Sequence, residues 1–81
     1  MKIDYAPGVL DALEHAPAEV RKAFFKQVKL LQQNLRHPSL HAKKYDAGQD
    51  LWQARVTKGW RIYFTIIDDT YYLVRLRAHP K

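Results

Sequence analysis

From Leu51 to His79 the chain reads LWQARVTKGWRIYFTIIDDTYYLVRLRAH, and residue parity divides it into two sets. The even positions Trp52, Ala54, Val56, Trp60, Ile62, Phe64, Ile66, Tyr72, Val74, Leu76 and Ala78 are apolar or aromatic. The odd positions include Gln53, Arg55, Thr57, Arg61, Tyr63, Thr65, Arg75, Arg77 and His79. Side chains alternate faces along a strand, so the pattern predicts three consecutive antiparallel strands with one core face and one basic, polar face. Residues directly opposed on neighbouring strands must share a face, which constrains the turns. A two-residue turn at Lys58-Gly59 would oppose Arg55 to Ile62. A three-residue loop, Thr57-Lys58-Gly59 with Gly59 left-handed, opposes Val56 to Trp60 and Arg55 to Arg61. A similar loop at Asp68-Asp69-Thr70 pairs Ile67 with Tyr71 and brings Arg77 beside Arg61 and Arg75 beside Tyr63.

Before this meander the periodicity changes. Met1 to Tyr5 alternates Met1, Ile3 and Tyr5 with Lys2 and Asp4 and predicts a half-buried strand at or near a sheet edge. Pro7-Gly8 breaks it, and Val9, Leu10 and Leu13 predict one face of a short helix ending near His15. Pro17 suits the first turn of a second helix, with Glu19 near its positive end. From Ala18 to about Arg36, Val20, Phe24, Val28, Leu31 and Leu35 form one helical stripe that Phe25 and Leu30 widen. His37-Pro38 is expected to end this helix. His37 to Asp50, HPSLHAKKYDAGQD, reads as a polar connection rich in titratable groups. The predicted architecture is α+β in the order βααβββ, with both helices covering the apolar face of a small antiparallel twisted sheet and the basic face left open.

Eighty-one residues are enough for one domain, taken here as 1–81. The net charge of +6 favours an acidic partner, nucleic acid or an acidic protein segment. With no cysteine there is neither a disulfide framework nor a thiolate metal site. No apolar run is long enough to span a bilayer, and MKIDYAPG lacks a signal-peptide apolar region, so a soluble cytoplasmic protein is expected.

A row Arg55, Arg61, Arg77 carries a penalty. At about 5 Å two cations repel by roughly 1 kcal/mol in water, or about 3 kcal/mol at an effective dielectric of 20. The row is tolerated on a fully wet face or favoured where an anion sits. His15, His37, His41 and His79 show no metal-ligand spacing, Ser39 has no nucleophile-elbow motif, and Gly8, Gly48 and Gly59 are too dispersed to cradle a phosphate. Neither metal nor cofactor is expected. Cleavage of RNA fits better, because the substrate brings its own nucleophile: the 2′-hydroxyl attacks the adjacent phosphate, and the protein supplies charge stabilisation and proton transfer. Arg61 and Arg55 are candidates to hold that phosphate and His79 to protonate the leaving 5′-oxygen. Arg77, Arg75, Tyr63 and Gln53 share the face. His41, Lys43 and Lys44, close in sequence to the strand carrying Arg55, are further candidates for substrate contact.

The ordered set Leu51-Trp52, Arg55, Trp60-Arg61-Ile62-Tyr63, Asp68-Asp69, Arg77 and His79 resembles the RelE superfamily of type II toxins, particularly its YoeB-like branch. The resemblance implies a microbial RNase fold and an endoribonuclease that cleaves mRNA, commonly in the A site of the 70S ribosome, restrained by a cognate antitoxin. By position it implies phosphate contact for Arg61, proton donation for His79 and a basic strand position for Arg55. Pro80 and Lys81 follow His79 where the YoeB-like pattern ends in His-Tyr, and Gln53 and Arg55 stand where RelE carries strand lysines. The glutamate base of the branch has no clear counterpart; His41, Lys43, Lys44 and Asp46 are the candidates to replace it. A ParE-like, gyrase-inhibiting toxin, or a member that binds antitoxin or RNA without catalysis, remains a distinct alternative.

Overall fold

The computed structural model describes residues 1–78. Strand β1 (Lys2–Tyr5) is followed by helices α1 (Pro7–His15) and α2 (Ala18–Gln33), and a short 3-10 turn at Pro38–Leu40 leads into strand β2 (Lys43–Asp46). The meander then comprises β3 (Leu51–Thr57), β4 (Trp60–Ile67) and β5 (Thr70–Ala78). The five strands form one sheet in the order β1-β5-β4-β3-β2. Strand β1 lies at an edge as expected, but parallel to β5, so the sheet is mixed. The other edge, β2, is a strand the sequence did not disclose, because Lys43, Lys44 and Tyr45 are all exposed and no alternation marks them.

The apolar stripes do what periodicity requires. Helix α1 packs on β5 and α2 on β3, and Val9, Leu13, Val20, Phe24, Val28 and Leu31 meet Ala54, Val56, Ile62, Phe64, Leu73 and Leu76 in a single core that Leu40 closes from the 3-10 turn. On the helices, Leu10 and Phe25 were expected in the core and lie outside it, 52% and 60% exposed. Helix α2 also stops earlier than the proline signal suggested. Asn34 Oδ1 accepts the Arg36 N–H at 3.0 Å, and this local bond competes with another helical turn.

Both hairpin turns differ from expectation, and the differences compensate. Lys58-Gly59 and Asp68-Asp69 are two-residue turns, each accompanied by a bulge. In β3, Arg55 pairs with Arg61 and Thr57 with Trp60, leaving Val56 unopposed. In β5, Arg75 pairs with Tyr63 and Leu73 with Phe64, leaving Val74 unopposed. One extra residue in a strand offsets the register as one extra residue in the loop would, so Arg55, Arg61 and Arg77 still align. Gly59 is not left-handed; among the described residues the positive-φ positions are His41, Asp50 and Asp68, side-chain types that tolerate that region. Between the Val74 bulge and the turn, the parity of β5 inverts. Tyr71 and Leu73 enter the core, where Tyr72 and Val74 had been expected.

Candidate functional site

The sheet carries two polar rows on the face away from the helices. Pairing across β2, β3, β4 and β5 aligns Lys43, Gln53, Tyr63 and Arg75, and one step on it aligns Arg55, Arg61 and Arg77. A cavity of about 360 Å³ opens where these rows meet the segment entering β2, and its lining is His41, Ala42, Lys43, Gln53, Arg55 and Arg61. Arg75 and Arg77 lie beside it, exposed on β5. Tyr63 is only 6% exposed. The ring of Tyr45, the unopposed residue of β2, packs edge-on against it at 5.0 Å between centroids.

Lys44 is placed differently from its neighbours. It pairs with Trp52, its ammonium sits 5.4 Å from that indole and bonds Asp50, and the indole stacks on the core residue Phe64. Alternation therefore turns Lys44 away from the arginine face, and it does not join the cavity. Asp46 is also committed, its Oδ1 accepting the N–H groups of Gly48 at 2.9 Å and Gln49 at 3.3 Å. His79 lies outside the described residues.

The two arginines of the cavity are held differently. Arg61 Nη1 donates to the carbonyls of Thr57 at 2.8 Å, Lys58 at 3.1 Å and Trp60 at 3.0 Å, so the guanidinium is braced by its own hairpin turn. Burial first, and the charge of Arg55 second, lower the Arg61 pKa from its ordinary value. A guanidinium remains protonated even so, and Arg61 acts as fixed positive charge rather than as a base. The Nε of Arg55 is buried with no hydrogen-bond partner among the described residues. A buried donor of this kind, in a cationic cavity, suits an incoming acceptor oxygen.

One residue that sequence reasoning passed over organises the site from beneath. Gln27 of α2 is 6% exposed, and its Nε2 donates to the Arg55 carbonyl at 2.9 Å and the Ser39 carbonyl at 3.2 Å. A single amide thus ties the strand carrying Arg55 to the 3-10 turn that ends at His41. The signal was present: Gln27 occupies the same helical face as Phe24, Val28 and Leu31, where an amide requires buried partners. The turn itself is fixed by His37, whose Nδ1 accepts the Ser39 N–H at 3.2 Å. His41 follows in the left-handed conformation, φ 46° and ψ 41°. Among the described residues no cluster of histidine and carboxylate side chains is arranged to hold a metal ion, and no helix is long and apolar enough to cross a membrane.

No family model and no curated protein matches the sequence. Solved structures do match. A chain of the archaeal RelE-RelB complex from Pyrococcus horikoshii superposes with a TM-score of 0.82 at 16% identity, covering 99% of this chain and 96% of that one. The YoeB/ParE toxin from Agrobacterium tumefaciens gives 0.81 at 13% identity over 99% of this chain and 100% of that one. The isolated RelE toxin of E. coli gives 0.77 at 14% identity, covering 99% and 85%. A chain of the RelB-RelE antitoxin-toxin complex from Methanococcus jannaschii gives 0.77 at 21% identity, covering 93% and 88%. Two helices on one face of a five-stranded mixed sheet constitute the RelE/YoeB-like toxin fold.

Proposed function

We propose that this protein is the toxin of a type II toxin-antitoxin system and an endoribonuclease acting on mRNA in the A site of the cytoplasmic 70S ribosome, silenced by a cognate antitoxin. The observation that carries the reading is the convergence of Arg55 and Arg61 on one open cavity of this fold, with Arg77 paired beside Arg61. Positive charge at that density opposes folding, and a phosphodiester offsets it.

In this reading Arg61 and Arg55 hold the scissile phosphate and stabilise the charge that grows on its oxygens as the 2′-oxygen attacks. His79 gives a proton to the departing 5′-oxygen. Arg75, Arg77, Lys43, Gln53 and Tyr63 accommodate the flanking nucleotides. Two facts support phosphate at this position: Arg61 is braced rigidly by three carbonyls, and Arg55 has a buried donor with no partner among the described residues.

The test is induction of the protein without antitoxin, followed by mapping of transcript 5′ ends. New ends within translated messages and arrested growth are expected, with Arg61→Ala restoring growth while the circular dichroism spectrum stays folded. Arrest accompanied by broken DNA and intact messages would move the protein to the gyrase-binding class. Folded protein that leaves ribosome-bound message intact would refute the nuclease assignment.

A further inference from the structure

We propose that His41 accepts the proton of the attacking 2′-hydroxyl, an inference that rests on the ribonuclease reading above. Elimination within the cavity points to it. Of its six lining residues, Ala42 and Gln53 have no basic atom, and Arg55 and Arg61 stay protonated. That leaves Lys43 and His41, and imidazole is the side chain that exchanges protons near neutral pH. Of the other candidates from the segment before β3, Lys44 is turned toward Trp52 and Asp50, and Asp46 is engaged by the Gly48 and Gln49 amides.

Position supports the same choice. His41 ends the 3-10 turn in a left-handed conformation, which a histidine tolerates better than most residues, and its N–H closes the turn on the Pro38 carbonyl at 3.3 Å. The Gln27 bridge fixes that turn against the strand of Arg55. The base and the phosphate-holding arginine are therefore set relative to each other by one buried amide, independent of substrate. His37, by contrast, is occupied in capping the turn through Nδ1.

The 2′-oxygen forms a bond to phosphorus as the P–O5′ bond breaks, and its proton passes to an unprotonated ring nitrogen of His41. His79 supplies the proton taken up by O5′. The products are a 2′,3′-cyclic phosphate and a 5′-hydroxyl end, after which His41 releases its proton to water. The charged groups lining the cavity with His41 are Lys43 of β2, Arg55 of β3 and Arg61 of β4.

The experiment is single-turnover cleavage of a message programmed on ribosomes, measured across pH for the intact protein, His41→Asn and His41→Gly. Asparagine and glycine both tolerate the left-handed backbone, so the fold is preserved. The wild-type rate is expected to rise with pH through an acid limb. Asn at this position should slow cleavage by about 10²- to 10⁴-fold and flatten that limb, and added imidazole should restore cleavage to the Gly variant. Affinity for a message with a 2′-deoxy nucleotide at the cleavage position should remain within about twofold of wild type. Cleavage by His41→Asn within about threefold of wild type, or a loss of affinity that matches the loss of rate, overturns the assignment. Wild-type protein that cleaves no ribosome-bound message refutes the ribonuclease reading instead, and this inference falls with it.

Discussion

Replacing Gln27 with Met removes the amide that hydrogen-bonds α2 to both the 3-10 turn and β3, while keeping nearly the same length and volume. The carbonyls of Arg55 and Ser39 lose their donor at once. Leaving a buried acceptor unpaired costs about 1–3 kcal/mol; two partly buried acceptors, less the gain from burying a thioether in place of an amide, give a net loss of about 2 kcal/mol. For a domain of this size each kcal/mol moves the melting midpoint by roughly 4–8 °C, so a drop of about 8–16 °C is expected by differential scanning calorimetry. Gln27→Glu should be worse at neutral pH, because a carboxylate then faces two carbonyl oxygens, and should recover in acid as protonation restores one donor. If Gln27→Met melts within about 3 °C of wild type, the bridge is not holding the turn to the strand, and the placement of His41 beside Arg55 needs another cause.

Three further outcomes are expected of the folded protein. At fixed ionic strength, sulfate or phosphate should raise the melting midpoint relative to chloride, by about 2.7 kcal/mol of stability at a hundredfold excess over the dissociation constant, and Arg55→Gln should abolish the response. Leu73→Ala, at a position with 0% exposure, should cost about 2–5 kcal/mol in urea unfolding, whereas Val74→Ala on the half-buried bulge should cost less than about 1.5; the reverse order would mean that β5 keeps uninterrupted parity. The pKa of His15 is raised from its ordinary value, first by its ring hydrogen bond to the Asp11 carbonyl and then by the Asp11 carboxylate. A raised pKa means its contribution to stability is complete below the ordinary histidine range and disappears as pH climbs through the folded-state value, and Asp11→Asn should lower the midpoint seen by NMR titration.

The arginine row was legible in the sequence because two independent constraints met on it: alternation assigned Arg55, Arg61 and Arg77 to one face, and opposed residues must share a face. Neither constraint identifies the turn. A three-residue loop and a two-residue turn with one bulged residue give the same offset at Arg61, and only residues between bulge and turn reveal the difference. Hence Tyr71 and Leu73 exchanged places with Tyr72 and Val74 while the rows survived. Strand β2 left no trace because a short edge strand with exposed Lys43, Lys44 and Tyr45 has no buried face to impose a period. Without β2 in view, Lys43 and Lys44 could not be separated, although pairing sends one to the cavity and the other to Trp52.

The turn that parity did not resolve also explains how the row is tolerated. Because Lys58-Gly59 is tight, the carbonyls of Thr57 and Lys58 reach Arg61 Nη1 together with that of Trp60. A hydrogen bond to a charged group contributes about 1.5–3 kcal/mol, and three acceptors sharing one nitrogen give less than three times that. Even one such bond is comparable with the roughly 1–3 kcal/mol of repulsion from a neighbouring guanidinium. Arg61 is therefore held in place before any anion arrives. The side chain of Arg77, exposed and with no hydrogen bond among the described residues, has no such offset. Removing charge should accordingly have opposite effects at the two positions: Arg77→Gln should stabilise the free protein slightly, and Arg61→Gln should destabilise it by loosening the turn. Equal shifts of the same sign in thermal unfolding would show that the brace contributes nothing and that the row is simply a solvated surface.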